Sequence, residues 1–123
     1  MKYFDALETR SAEQRAEENA VALISQVSRA KSLSGYSEML SGVDAAAIST
    51  TEDLIKLPVL RKSDLTGAQN VKQTLGGFNA RNLEDFGHIF QSPGPIYEPG
   101  GTEHDWWRMG LFIHAAGIGK GDI

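Results

Sequence analysis

The chain has 123 residues with no cysteine, 12 Lys and Arg against 16 Asp and Glu, and 41% hydrophobic residues. That length accommodates one ordinary domain burying roughly two thirds of its unfolded surface. The lack of cysteine excludes disulfide scaffolds, thiol nucleophiles and cysteine-ligated metal centres. A net charge of −4 without a Lys/Arg cluster sets no cations against phosphates, so nucleic acid is not expected as a partner. The longest apolar stretches, such as Ala45 to Ile48 and Gly110 to Ile113, fall far short of the roughly 20 residues of a spanning helix. Met1-Lys2-Tyr3-Phe4-Asp5, followed by Glu8 and Arg10, has no apolar signal core, so no membrane partner is expected and the cytoplasm is the default location.

In chain order, the first legible element opens at Ser11-Ala12-Glu13-Gln14, a capping-box sequence in which the serine hydroxyl takes a free N–H and Gln14 reaches back to the cap. Ala16, Ala20, Leu23, Val27 and Ala30 then recur at spacings of three and four, with charged residues on the other faces. An amphipathic helix over 11–34 follows, closed by Gly35 in a left-handed turn. Its alanine-rich stripe predicts close packing against another helix. A shorter helix is expected over Ser37 to Leu40, stopped by Gly42. Next, Asp53 stands in the first turn of an element that Pro58 cannot continue, and Lys62-Ser63-Asp64-Leu65 opens another short helix ending near Gly67.

Between Gly76 and Gly101 lie six glycines and three of the four prolines. Phe86, His88 and Phe90 alternate with Gly87, Ile89 and Gln91 as in a strand, and Ser92-Pro93-Gly94-Pro95 is a turn signal. Ile96-Tyr97-Glu98 is a second strand that Pro95 and Pro99 confine to an edge or a hairpin arm. A helix over 102–116 is then expected, capped by Thr102 and Asp105, with Trp106, Met109, Ile113 and Ala116 on its apolar face and Gly117 at its close. The segment Gly117 to Ile123 reads as a turn entering a strand just where the chain stops. One or two short strands leave unpaired edges, so the chain is expected to belong to something larger.

Chemistry is sparse. His88, His104 and His114 do not form a ligand pair at helical spacing, and for His104 an acidic first helical turn competes with a metal site and is preferred. No Gly-x-Ser-x-Gly elbow occurs. Trp106 is read as core rather than as a stacking platform for a ligand. The segment Ser92 to Pro99 joins two extended arms, a suitable place for a phosphate loop.

The order of these motifs resembles the N-terminal portion of the phenylacetate-CoA ligases, within the AMP-forming acyl/aryl-CoA synthetase superfamily, over nearly the whole chain. Ser11 to Tyr36 is similar to the early helix and aromatic turn, and Gly42-Val43 to the step that follows. Glu52 to Leu65 resembles the signature Asp-Leu-x-x-Leu-Pro-x-x-x-Lys-x-Asp-Leu, and Gly76-Gly77-Phe78 comes next. The closing helix with Gly119-Lys120-Gly121-Asp122-Ile123 also fits. The family's nucleotide loop reads Ser-Ser-Gly-Thr-Thr-Gly-Lys-Pro; here Ser92, Gly94 and Pro99 match, whereas Pro93, Pro95, Ile96, Tyr97 and Glu98 depart.

The resemblance implies an α+β fold, mainly α: the N-terminal part of an adenylate-forming ligase fold, with several helices and a small two-stranded element near residues 86–99. It implies Ser92, Gly94, Tyr97 and Glu98 as the cofactor-binding candidates, and no catalytic residue or metal ligand in this chain. ATP, Mg²⁺ and CoA are the implied cofactors of the full-length family, with an aromatic carboxylate as substrate, and none is expected to bind tightly here. Pro93 and Pro95 lack N–H donors and Ile96 replaces a hydroxyl. Glu98 reverses a lysine charge: two unit charges about 4 Å apart interact by roughly 4 kcal/mol at an effective dielectric near 20. Glu98 is read three ways, as pointing into water, as meeting phosphate or Mg²⁺ in a longer relative, or in another role. Two functions follow: an N-terminal piece of a ligase, inactive alone, or a non-catalytic module that associates with its own copies or a protein partner.

Overall fold

The computed structural model describes residues 3–69, 74–119 and 121–122. Helices α1 (Ala12–Lys31), α2 (Ser34–Ser37), α3 (Lys62–Gln69) and α4 (Gly110–Ala115) and strands β1 (His88–Gln91) and β2 (Tyr97–Gly100) carry the fold, with 3-10 turns between them. The class is α+β, mainly helical, with a two-stranded antiparallel sheet. No helix among the described residues is long and apolar enough to cross a membrane.

Helix α1 begins where its local chemistry dictates. Ser11 Oγ accepts from Gln14 N at 3.1 Å, and Gln14 Oε1 accepts from Ser11 N at 3.0 Å, which satisfies donors that the first turn leaves over. Its other end corrects the expectation. The helix stops at Ser32, and Gly35 has no positive φ but lies within α2. The reason is steric: a Cβ on Gly35 would stand 2.7 Å from Phe78 Cδ1 and 2.8 Å from the Gly76 carbonyl. Gly35 therefore serves close approach, not a helix exit. The short helix expected over Ser37 to Leu40 is displaced in the same way, since α2 occupies 34–37 and turns follow to 42.

The apolar stripe of α1 is covered only in its second half. Val27 is buried and Ala20, Leu23 and Ala30 are half-buried, while Ala16 is exposed. What covers it is the 3-10 turn Ala45–Ala47 together with α2, not a second long helix. The Lys31 ammonium donates to the Val43 carbonyl and ties the two segments together. The core continues through Leu40, Ile48 and Leu75, and Tyr36 meets Phe78 edge-on at 4.8 Å. Leu75, Gly76 and Gly77 all have positive φ, so the Thr74–Gly77 segment is a left-handed turn; the glycines accept that at little cost, and Leu75 does so with its side chain buried.

Asp53 does more than complement a dipole. In the 3-10 turn Glu52–Lys56 its Oδ2 accepts from Ser49 N at 3.0 Å and Thr50 N at 2.9 Å, while Thr50 Oγ1 accepts from Asp53 N at 3.3 Å. The Lys56 ammonium, followed by the Ser49 and Thr50 N–H groups, holds its carboxyl well below the usual carboxylate range. A depressed folded pKa means that the folded state favours the charged form. The resulting stability is present at neutral pH and is lost as pH falls from the ordinary carboxylate range through the depressed value. Equilibrium unfolding against pH is expected to show wild type losing stability below about pH 4, with Asp53→Asn less stable at pH 7 and flatter in acid. Parallel curves for the two proteins would refute this linkage.

Helix α3 runs to Gln69, two residues beyond Gly67, where a Cβ would meet nothing within 4 Å. The hairpin matches its expectation closely: β1 pairs antiparallel with β2 in the register His88↔Gly100, Ile89↔Pro99, Phe90↔Glu98 and Gln91↔Tyr97. The first strand starts at His88, two residues later than the alternation from Phe86 predicts, and the second starts one residue later than expected and takes Pro99 inside it.

The largest correction concerns 102–116, where only Gly110–Ala115 is helical. Asp105 (φ 53°) and Arg108 (φ 55°) sit in the left-handed region, which a right-handed helix cannot contain. Asp105 Oδ1 accepts from Gly110 N at 2.9 Å across this turn, and Thr102 caps no helix. Gly117 closes α4 as expected: it has φ 82°, Ile118 N donates to the Ile113 carbonyl at 3.1 Å, and Gly117 N donates to that of His114 at 2.9 Å. Of the expected terminal turn, Lys120 and Ile123 lie outside the described residues.

The packing leaves much surface open. The 13.4 kDa chain exposes 9249 Å². A compact monomer of that mass exposes about 6,500 Å².

Candidate functional site

The loop between β1 and β2 is closed by its own first residue. Ser92 N donates to the Ile96 carbonyl at 3.0 Å, and Ser92 Oγ accepts from Ile96 N at 3.3 Å. The hydroxyl thereby shortens the loop to three residues, of which Pro93 and Pro95 have no N–H. The loop's remaining donors are the Gly94 N–H and the Ser92 O–H. Gly94 stands in open space and adopts no positive φ.

The other two candidates lie on β2, where successive side chains point to opposite faces. Tyr97 and Glu98 therefore do not converge on one ligand beside the loop. Their main interactions come from α3 instead. Lys62 Nζ donates to Glu98 Oε1 at 3.1 Å. Gln69 brackets Tyr97, its Nε2 donating to the Tyr97 carbonyl at 2.9 Å and its Oε1 accepting from Tyr97 N at 2.8 Å. Lys62 and Gln69 are seven residues apart, two turns of helix, so one face of α3 presents both to the strand. The carboxamide of Gln69 offers one donor and one acceptor, as a neighbouring strand would, and closes the outer edge of β2.

Lys62 and Gln69 are the site residues that inspection of the loop alone overlooks. The available signal was indirect. Pro99 lacks a donor on the same outer edge as Tyr97, which marks that edge as one where no strand continues. The Lys62–Glu98 pair is roughly half exposed on both sides. Such pairs contribute about 0–1 kcal/mol. The two Gln69 bonds carry more: Gln69→Ala is expected to raise hydrogen exchange at the Tyr97 amide by an opening free energy of about 1–2 kcal/mol. Unchanged protection of Tyr97 would show that the carboxamide does not hold the strand.

Arg81 organises the segment after the hairpin. Its guanidinium lies over the Trp106 ring, 5.3 Å from the centroid, and pairs with the Glu103 carboxylate. Glu103 is held below the usual carboxylate range by its own backbone N–H first and by Arg81 second. Trp106 is half-buried, and a Cβ on Gly101 would stand 2.3 Å from its ring. This contact, not a continuous helix, places Trp106.

A separate groove of about 1330 Å³ lies between the N-terminal turn and α4, lined by Tyr3, Phe4, His104, Met109, Ile113 and His114 among others. None of residues 92–98 lines it. Its carboxylates serve neighbouring backbone donors: Glu8 accepts from Phe4 N, and Asp105 from Gly110 N. Among the described residues no group of three His, Cys, Asp or Glu is placed to hold a metal ion. Compared with protein-family models, curated proteins and solved structures, the chain matches none.

Proposed function

We propose that this chain is the N-terminal segment of an AMP-forming carboxylate–CoA ligase related to the phenylacetate-CoA ligases, carrying a nucleotide loop depleted of phosphate donors. One observation supports this reading above the others. The signature stretch through Lys62 and Asp64 and the loop through Ser92 and Glu98 are distant in sequence, yet α3 docks on β2 through Lys62–Glu98 and Gln69–Tyr97, at separations of 36 and 28 residues. Two segments that the resemblance names independently thus form one unit.

In the family, the carboxylate attacks the α-phosphate of ATP to give an acyl adenylate and pyrophosphate, and the CoA thiol then displaces AMP. Neutralising those phosphates requires converging donors or cations. The residues present here do not fit a triphosphate: the loop offers one N–H and one hydroxyl, two prolines replace donors, Glu98 carries a carboxylate, and the Lys62 ammonium already pairs with it. No adenylation step is assigned to this chain, whose role in the proposal is to scaffold the loop.

The test has two arms. Calorimetric titration of the chain with Mg-ATP is expected to release no binding heat, and saturable binding would overturn the depleted-loop reading. The product of the whole reading frame that contains these residues is expected to form AMP from ATP in the presence of an aromatic carboxylate and CoA. Absence of AMP formation across a panel of such acids would count against the ligase reading. A second reading, a non-catalytic module that associates with its own copies, is favoured by the exposed surface, which exceeds that of a compact monomer by roughly 2,700 Å².

A further inference from the structure

Among the described residues, one edge of the hairpin is held by Gln69 and the other receives no hydrogen bond from outside the ladder. Ser92 N donates to the Ile96 carbonyl at 3.0 Å, and continuing that ladder in the observed register makes Phe90↔Glu98 a hydrogen-bonded pair. Ile89↔Pro99 and Gln91↔Tyr97 are then non-hydrogen-bonded pairs whose main-chain groups point away from the hairpin. On the β2 side Gln69 takes both groups of Tyr97 and Pro99 has no donor, which leaves the Pro99 carbonyl as the outward group there. On the β1 side, no hydrogen bond from a described residue outside the ladder reaches the main chain of Ile89 or Gln91.

Edges left open are ordinarily protected by lysine, proline, a bulge or a covering segment. His88-Ile89-Phe90-Gln91 contains no Lys, Arg, Asp, Glu or Pro, and all four residues are exposed. Among the described residues, protection therefore lies on the edge that Gln69 already holds and none lies on the β1 edge.

We propose that β1 pairs with β1 of a second copy of this chain, antiparallel across a two-fold axis at Phe90, forming a four-stranded sheet in the order β2-β1-β1-β2. The inference deepens the association reading above and rests on it. Geometry selects the register. The outward groups belong to Ile89 and Gln91, so each Ile89 exchanges hydrogen bonds with the other copy's Gln91, and the two Phe90 residues form the central, closely spaced non-hydrogen-bonded pair. The interface is isologous, and no like charges meet across the strands, although each chain carries a net −4. Phe90 is 48% exposed and lies 6.1 Å from the ring of Trp107, itself 57% exposed, so the pairing adds an aromatic cluster from each copy on one face. The surplus surface of roughly 2,700 Å² per chain comes to about 5,400 Å² for two copies, at the upper end of the total that obligate homodimers bury.

Sedimentation of the full chain across a wide concentration range tests the proposal, with Ile89→Pro and Phe112→Lys alongside. Proline at 89 removes an outward donor and spares the β1–β2 ladder, as Pro99 does opposite it. The expected result is a reversible dimer weakened at least tenfold by Ile89→Pro and unchanged by Phe112→Lys. A wild-type monomer at every concentration would overturn both the proposal and the association reading. A dimer indifferent to Ile89→Pro, or abolished by Phe112→Lys, would overturn the β1 edge alone. Hydrogen exchange on the wild type makes the test independent of how the proline variant folds. The Ile89 and Gln91 amides are expected to gain protection as concentration rises, and constant exchange at both would overturn the pairing.

Discussion

Ile48→Ala is expected to lower the unfolding free energy by roughly 2–5 kcal/mol, with the melting temperature falling on the order of 10 °C. Ile48, at 1% exposure, is the one large side chain among the described residues fully closed off from solvent. It follows directly on the Ala45–Ala47 turn that covers the second half of α1, so its truncation leaves a cavity where the chain reverses on the long helix. The other buried apolar residues are few, so little surrounding structure is available to share the loss. Val59→Ala, at a side chain 82% exposed, is the internal comparison and is expected to change stability by less than about 0.5 kcal/mol. Denaturant titration of both variants reads the difference; equal midpoints would mean that Ile48 is not a core residue.

Gly35→Ala is the second large effect, and its sign distinguishes packing from propensity. In an open helix, glycine to alanine gains about 1 kcal/mol. At position 35 the added methyl would meet Phe78 Cδ1 at 2.7 Å, the Gly76 carbonyl oxygen at 2.8 Å and the Gly77 carbonyl carbon at 2.9 Å. Two of those atoms are backbone of the left-handed turn that carries buried Leu75, so a rotamer change does not relieve the clash. We expect a net loss of roughly 1–3 kcal/mol, as for other overpacked sites. Gly67→Ala, inside α3 with nothing within 4 Å, is expected to gain stability by up to about 1 kcal/mol. Thermal or denaturant melts of the pair should move in opposite directions, and a shift of both in the same direction would remove the steric account of Gly35.

The candidate loop illustrates how far local reasoning reaches. Its two flanking strands and turn were legible, because alternation over 86–91 and the Pro93-Gly94-Pro95 signal act within a few residues. The poverty of its donors was legible too, since proline lacks an N–H in any context. The partner of Glu98 was not. Reading Glu98 as facing water, as meeting phosphate or Mg²⁺, or as serving another role did not name Lys62, whose position beside it depends on α3 lying across β2. Likewise, Tyr97 appeared as a ligand-binding candidate, whereas its described hydrogen bonds are main-chain contacts with Gln69.

The failure at 102–116 has the same origin. Thr102, Asp105 and the apolar spacing that follows satisfy every local criterion for a helix. The chain instead places Asp105 and Arg108 in the left-handed region, while Trp106 packs beneath Arg81 and against Gly101. Arg81 lies 25 residues before Trp106, beyond the range of any periodicity argument.

The amino-acid order alone determined the start of α1 at Ser11, the end of α4 at Gly117, the hairpin and the exclusion of cysteine chemistry, because caps, turns and prolines act through atoms within about one helical turn of each other. Only the tertiary structure decided that Gly35 is a packing contact, that Lys62 pairs with Glu98, and that Gln69 holds one edge of the hairpin while no described residue outside the ladder bonds to the other. Those outcomes depend on which distant segments the folded chain brings within a few ångströms, and that distance is set by the packing of the helices rather than by any neighbour in the sequence.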